Sequence, residues 1–97
     1  MHNCFISIVV VIEQREEIQR LPELLNNLYS EVNGKFSDYE IILVNNTNGQ
    51  RFDQKITPLD TSLKQNIFLL NLSSPVNKYH AIVAGLDPSN GDYTFIF

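Results

Sequence analysis

The seven residues from Ile6 to Ile12 read Ile-Ser-Ile-Val-Val-Val-Ile, β-branched at every position except Ser7. A strand with one wet face alternates apolar and polar side chains. An almost unbroken β-branched run suits a strand covered on both faces, as in a parallel sheet. The run is about as long as the apolar core of a secretory leader. It lacks a basic segment before it, however, and Glu13-Gln14-Arg15-Glu16-Glu17 follows in place of a small-residue cleavage site. No stretch approaches the roughly 20 apolar residues of a membrane-spanning helix. Cys4 is the only cysteine, so no intrachain disulfide and no thiolate metal site can be built. The expectation is a cytoplasmic, reducing location.

The rest of the chain repeats the theme of apolar strands alternating with helices. Leu21, Leu25, Leu28 and Val32 recur at helical spacing, with Pro22 in the first turn and Gly34 placed to stop the helix. A second strand is expected at Tyr39–Val44, ahead of the polar cluster Asn45-Asn46-Thr47-Asn48-Gly49. Thr57 and Pro58 suggest the start of a short helix running to about Gln65. Ile67–Leu72 is the third strand, and Ser73-Ser74-Pro75 breaks the chain after it. The helix that follows, from about Asn77 to Leu86, is expected to present Tyr79, Ile82, Val83 and Leu86 as its apolar face. Ala81, Ala84 and Gly85 would allow a sheet to approach it closely. A turn at Asp87–Gly91, in which Asp92 starts the next element, leads to a fourth strand ending at Phe97.

Strands alternating with helices predict βαβ units on a parallel sheet. The expected fold is therefore α/β: a Rossmann-like three-layer sandwich with four strands and about three helices, in one domain spanning residues 1–97. Ligands of such sheets bind beyond the carboxyl ends of the strands, at the point where the strand order reverses. The net charge of -4, with only 7 scattered Lys and Arg, excludes a nucleic-acid-binding surface.

Four stretches, in this order and spacing, resemble the family-2 glycosyltransferases of the GT-A fold. They are ISIVVVI with LPELLNNL, then DYEIILVNN, then NIFLLNLSSPVNKYHAIVAGL, then NGDYTFIF. The likeness is nearest to the members that move sugars onto polyprenyl phosphate or cell-envelope carriers. It implies the N-terminal, nucleotide-binding portion of such an enzyme, with a UDP- or GDP-linked sugar as donor.

The resemblance also marks the places where this chain departs from the family. The loop after the first strand, which lies under the base in the family, corresponds to Val11, Ile12, Glu13 and Gln14. It has no aromatic stacking partner and carries an acidic side chain. The family's Asp-Asp-Gly-Ser after the second strand is replaced by Asn45-Asn46-Thr47-Asn48. An amide can donate to and accept from a base edge, where a carboxylate only accepts. The same cluster also suits a plain turn. Pro75-Val76-Asn77-Lys78 matches the family's Asn-x-Gly-Lys at Lys78 alone, which would place a positive charge near a diphosphate. His80 has no second ligand at metal spacing.

The family's Asp-x-Asp, which holds Mg²⁺ or Mn²⁺ for the donor diphosphate, is expected just beyond Phe97. Neither a metal ligand nor a catalytic residue is therefore assigned within these residues, although a full-length enzyme would use the metal. Two functional readings follow. One is the nucleotide-binding part of a transferase that is inactive in isolation. The other is a non-catalytic binding or interaction module that kept the fold and lost the chemistry. A receiver-like or flavodoxin-like domain fits less well, since neither the acidic cluster nor a Gly-rich phosphate loop is present. A strand ending at Phe97 is expected to leave one sheet edge unpaired, and with it the chain as a homodimer or larger assembly.

Overall fold

The computed structural model describes residues 2–32, 35–47, 65–72, 76–86 and 91–97. The expected stop at Gly34, the helix from Thr57, the break at Ser73–Pro75 and the turn over residues 87–90 lie outside them. The described elements are β1 (His2–Ile12), α1 (Arg15–Gln19), α2 (Leu21–Val32), β2 (Phe36–Asn45), β3 (Ile67–Asn71), α3 (Lys78–Leu86) and β4 (Tyr93–Ile96). All strand pairs are parallel, and the sheet order is β3-β2-β1-β4. That is the order of the first four strands of a doubly wound nucleotide-binding sheet. The expected α/β sandwich is the observed one.

β1 occupies the interior of the sheet. Ile6, Ile8, Val10 and Ile12 face the α2 layer and pack with Leu21, Leu25, Leu28 and Val32. Val9 and Val11 face the other way, with Ile42, Val44 and Ala81 of α3. The register sets Ile8 beside Ile41 and Val10 beside Leu43, so neighbouring strands present matching apolar positions to each layer. Leu25 is fully buried, and burial of such a side chain contributes about 2 kcal/mol. The run from Ile6 to Ile12 thus lacks polar residues because both of its faces are dry.

Ser7 is the exception, and it has partners. Its hydroxyl donates to Glu40 at 2.5 Å and accepts the Gly91 N–H at 2.8 Å. A Cβ on Gly91 would lie 2.6 Å from both the Ser7 nitrogen and its Oγ, so only glycine fits against this serine. Asp92 completes the junction. Its N–H donates to the Phe5 carbonyl at 2.7 Å, and its carboxylate accepts the Phe5 N–H at 3.0 Å. β4 is thereby fastened to β1 at its first residues.

Two features differ from the expectation. The charged stretch after β1 contains a short helix, α1, whose start is closed by Glu17. That carboxylate accepts the N–H groups of Glu13 and Gln14 at 3.1 and 2.9 Å, in the manner of a capping box. The sheet-facing side of α3 is also narrower than expected. Tyr79, Val83 and Leu86 are exposed, whereas Ile82 packs against the sheet and Ala81 and Gly85 give the close approach expected of them. The reason is distance. A Cβ on Gly85 would come within 2.6 Å of Val9 Cγ1 and 2.8 Å of Val44 Cγ2, so the helix backbone rests almost directly on the sheet. Larger side chains on that face would lift it off.

Gly85→Ala is accordingly expected to destabilise the fold. The gain in helix propensity, about 1 kcal/mol, is smaller than the cost of overpacking against two stiff, buried valines, about 1–3 kcal/mol. Urea denaturation should show a net loss of up to about 2 kcal/mol; a higher midpoint would contradict the close packing.

Candidate functional site

Between β1 and β4 the strand order reverses, and a cleft opens there. β4 pairs with β1 only as far as Ile96 beside Val9, and the Phe97 N–H closes the ladder on the Val9 carbonyl at 2.9 Å. Beyond that point Val10, Val11 and Ile12 form the floor of an open cavity of about 740 Å³. Arg20 and Glu23 line it from the α1–α2 side, Lys78 from the start of α3, and Phe97 from the end of β4. Opposite charges and one exposed aromatic ring thus share a site above an apolar floor. The volume lies in the range of small-molecule pockets. A smaller hollow of about 290 Å³, beside Phe5, Tyr39 and Ile67, lies toward the amino ends of the strands. Sheets of this kind do not usually bind ligands there.

The residues singled out in the sequence do not all converge on this cleft. Val11 and Lys78 line it. Asn46 lies just past the end of β2 and is buried, and its amide is engaged with the segment leading into α3. Its Oδ1 accepts the Val76 N–H at 2.9 Å, and its Nδ2 donates to the Val76 carbonyl at 2.7 Å. The side chain therefore pairs with one residue's backbone as a neighbouring strand would. Glu13 adjoins this pair, with its carboxylate 3.5 Å from Asn46 Nδ2. Asn45 belongs to another neighbourhood. Its Nδ2 donates to Asn71 Oδ1 on β3 at 2.8 Å, while its Oδ1 accepts the Thr47 hydroxyl at 2.6 Å and the Thr47 N–H at 3.2 Å.

Asn77 caps α3, accepting the His80 N–H at 2.9 Å through its side chain. In the sequence it is a poor substitute for a turn-making glycine. In the structure it satisfies one of the orphan donors of the helix start. Together the Asn46–Val76 pair and the Asn77 cap hold Lys78 at the cleft wall. Arg20 and Phe97 carry no motif of their own, and only the strand order reveals their place. A reader of the sequence would have needed to know that β4 lies next to β1.

A divalent cation takes several oxygen ligands. The Glu17 carboxylate is turned to the N–H groups of Glu13 and Gln14. Among the described residues no group of three or more His, Cys, Asp or Glu is placed to hold a metal ion. No metal-dependent step is derived from them. Also among the described residues, no helix is long and apolar enough to cross a membrane. Comparison with protein-family models, with curated proteins and with solved structures returns no significant match.

The pair of hydrogen bonds to Val76 gives Asn46 a structural reason to be an amide rather than the carboxylate of the resembled motif. Asn46→Asp removes the donor facing the Val76 carbonyl and sets a second carboxylate beside Glu13. The expected cost is about 1–3 kcal/mol, measurable by urea denaturation. Glu13→Gln in the same background should recover part of it; no loss in Asn46→Asp would show that the pair is dispensable.

Proposed function

We propose that this chain is the nucleotide-binding part of a glycosyltransferase and that it takes the nucleoside diphosphate of a UDP- or GDP-linked sugar into the cleft between β1 and β4. The observation that carries the reading is the position of the cleft. It lies at the carboxyl ends of a parallel β3-β2-β1-β4 sheet, at the reversal of strand order, where nucleotides bind in sheets of this topology. Lys78 and Arg20 supply the positive charge a diphosphate needs, and Phe97 offers a ring face to a base. The resemblance of the four sequence stretches to family-2 enzymes supports the sugar-transfer class. In this reading Asn46 is a positioning residue, holding the segment that carries Lys78.

One observation favours the second reading, a binding module without chemistry. Both heteroatoms of the Asn46 amide are bonded to Val76, and the remaining N–H faces Glu13, so the amide is oriented by its own chain rather than toward the cleft. Calorimetric titration with UDP and GDP, each with and without Mn²⁺, separates the two. The nucleotide reading expects saturable binding that does not need metal, with a dissociation constant on the order of 0.1–1 mM. Lys78→Ala should weaken it about fivefold, corresponding to one modest charge contact. Failure of both nucleotides to bind at millimolar concentration would reject this reading in favour of the module.

A further inference from the structure

We infer that the α2 wall of the cleft is a hydroxyl-reading subsite: Glu23 and Asn27 take the vicinal hydroxyls of a ribosyl or glycosyl group whose diphosphate is held by Arg20 and Lys78. The inference rests on the nucleotide reading above and adds to it the direction in which the ligand lies.

The wall is one flank of a helix. Glu23, Leu24 and Asn27 all line the cavity. At about 100° of turn per residue they share one side of α2, next to the face that buries Leu21, Leu25 and Leu28. Leu24 anchors this flank by packing against the core. Arg20 stands just ahead of the first turn, and its backbone is held from both sides. Its N–H donates to the Ile18 carbonyl, and its own carbonyl accepts the Leu24 N–H at 3.0 Å.

Direction follows from topology. α2 joins the parallel strands β1 and β2, so it runs opposite to them. Arg20 therefore lies nearest the carboxyl ends of the strands, and Asn27 lies about 10 Å further in along the helix axis. Lys78 opens α3, in the layer on the other side of the sheet, and lines the same cavity. The two cations thus flank the rim from opposite layers. The carboxylate and the amide follow, deeper along one wall.

That sorting of charge selects a ligand. Arginine and lysine only donate, which suits the acceptor oxygens of a diphosphate. A carboxylate only accepts, so Glu23 attracts hydroxyl donors and repels phosphate. Asn27, one turn on, can accept from one hydroxyl or donate to the next. Among the described residues the ion pair present is Lys35–Glu31, and Arg20, Glu23 and Lys78 take part in none. Glu17, the other carboxylate of the cleft, is turned to the N–H groups of Glu13 and Gln14. Glu23 is therefore the carboxylate that meets the ligand. In a nucleotide sugar both the ribose and the transferred sugar adjoin the diphosphate, and both present vicinal hydroxyls.

Titration of the isotope-labelled chain followed by NMR measures affinity and location together. Inorganic diphosphate should shift the signals of Arg20 and Lys78 and leave Asn27 unmoved. The tighter binder of UDP and GDP is then compared with its deoxyribose analogue and with UDP-glucose or GDP-mannose accordingly. If the ribose is read, the deoxyribose analogue binds about three- to tenfold more weakly than the parent nucleotide, the weight of one hydrogen bond. If the transferred sugar is read, the nucleotide sugar binds more tightly than the nucleotide by about the same factor. In either case Glu23→Ala and Asn27→Ala, at exposed helix positions that tolerate alanine, should each reduce that preference at least by half. Binding of inorganic diphosphate should be unchanged or tighter in Glu23→Ala. Equal affinities for all three ligands, or a preference that survives both substitutions, would overturn the inference and leave the nucleotide reading standing. If neither UDP nor GDP binds, both fall together.

Discussion

β1 is enclosed on four sides, with β2 and β4 bonded along its two edges and a helical layer over each face. That enclosure determines where anything polar can go. An unpaired polar group in such a strand would cost roughly 1–3 kcal/mol, and Ser7 avoids the cost only because Glu40 and Gly91 both reach it. One consequence is local: the glycine that Ser7 requires also fixes where β4 begins. The other concerns function. With its middle sealed, β1 can support chemistry only toward its carboxyl end, where Val10–Ile12 line the cleft.

The central strands and α2 were legible because burial on a regular period leaves a direct mark on sequence. Ile6–Ile12 and the Leu21, Leu25, Leu28 and Val32 stripe both record a dry face, and both sit where that mark predicts. α1 left no such record. It is five residues long and buries Ile18, and its start is specified by the hydrogen bonds that Glu17 accepts rather than by apolar spacing. α3 misled in a different way. Its large apolar residues outnumber its small ones, yet the sheet contact is decided by how near the backbone can come. Gly85 and Ala81, the small residues expected to admit the sheet, decide that, and the approach they permit leaves Tyr79, Val83 and Leu86 outside.

The candidate site was legible in part, for a related reason. Lys78 and Val11 lie far apart in sequence and meet at the cleft because α3 carries the chain from β3 across to β4. The resemblance to the family pattern was enough to select both, and the carboxyl-end rule also pointed to the segment that carries Lys78. It was not enough for Arg20 and Phe97, whose relevance depends on the lateral order of the strands. Nor could it tell an amide facing a ligand from one facing its own backbone. Asn45 and Asn46 are neighbours in sequence, yet the first turns to Asn71 and Thr47 and the second to Val76 and Glu13.

The Asn46–Val76 pair bears on how the departures from the glycosyltransferase pattern should be understood. A carboxylate at the end of β2 can serve a ligand only if the backbone near it does not need a donor. Here the Val76 carbonyl accepts a hydrogen bond from Asn46 Nδ2, and the Glu13 carboxylate lies beside the same nitrogen. Both neighbours favour a donor at this place and disfavour a negative charge. The amide and the acidic residue after β1 are thus mutually consistent, while the Asn77 cap serves the adjoining helix start. Reverting Asn46 toward the family pattern would set two carboxylates together, so these two positions are better treated as one unit. Binding of a diphosphate and base at the cleft then falls to Lys78, Arg20 and Phe97, which the unit holds or adjoins but does not consume.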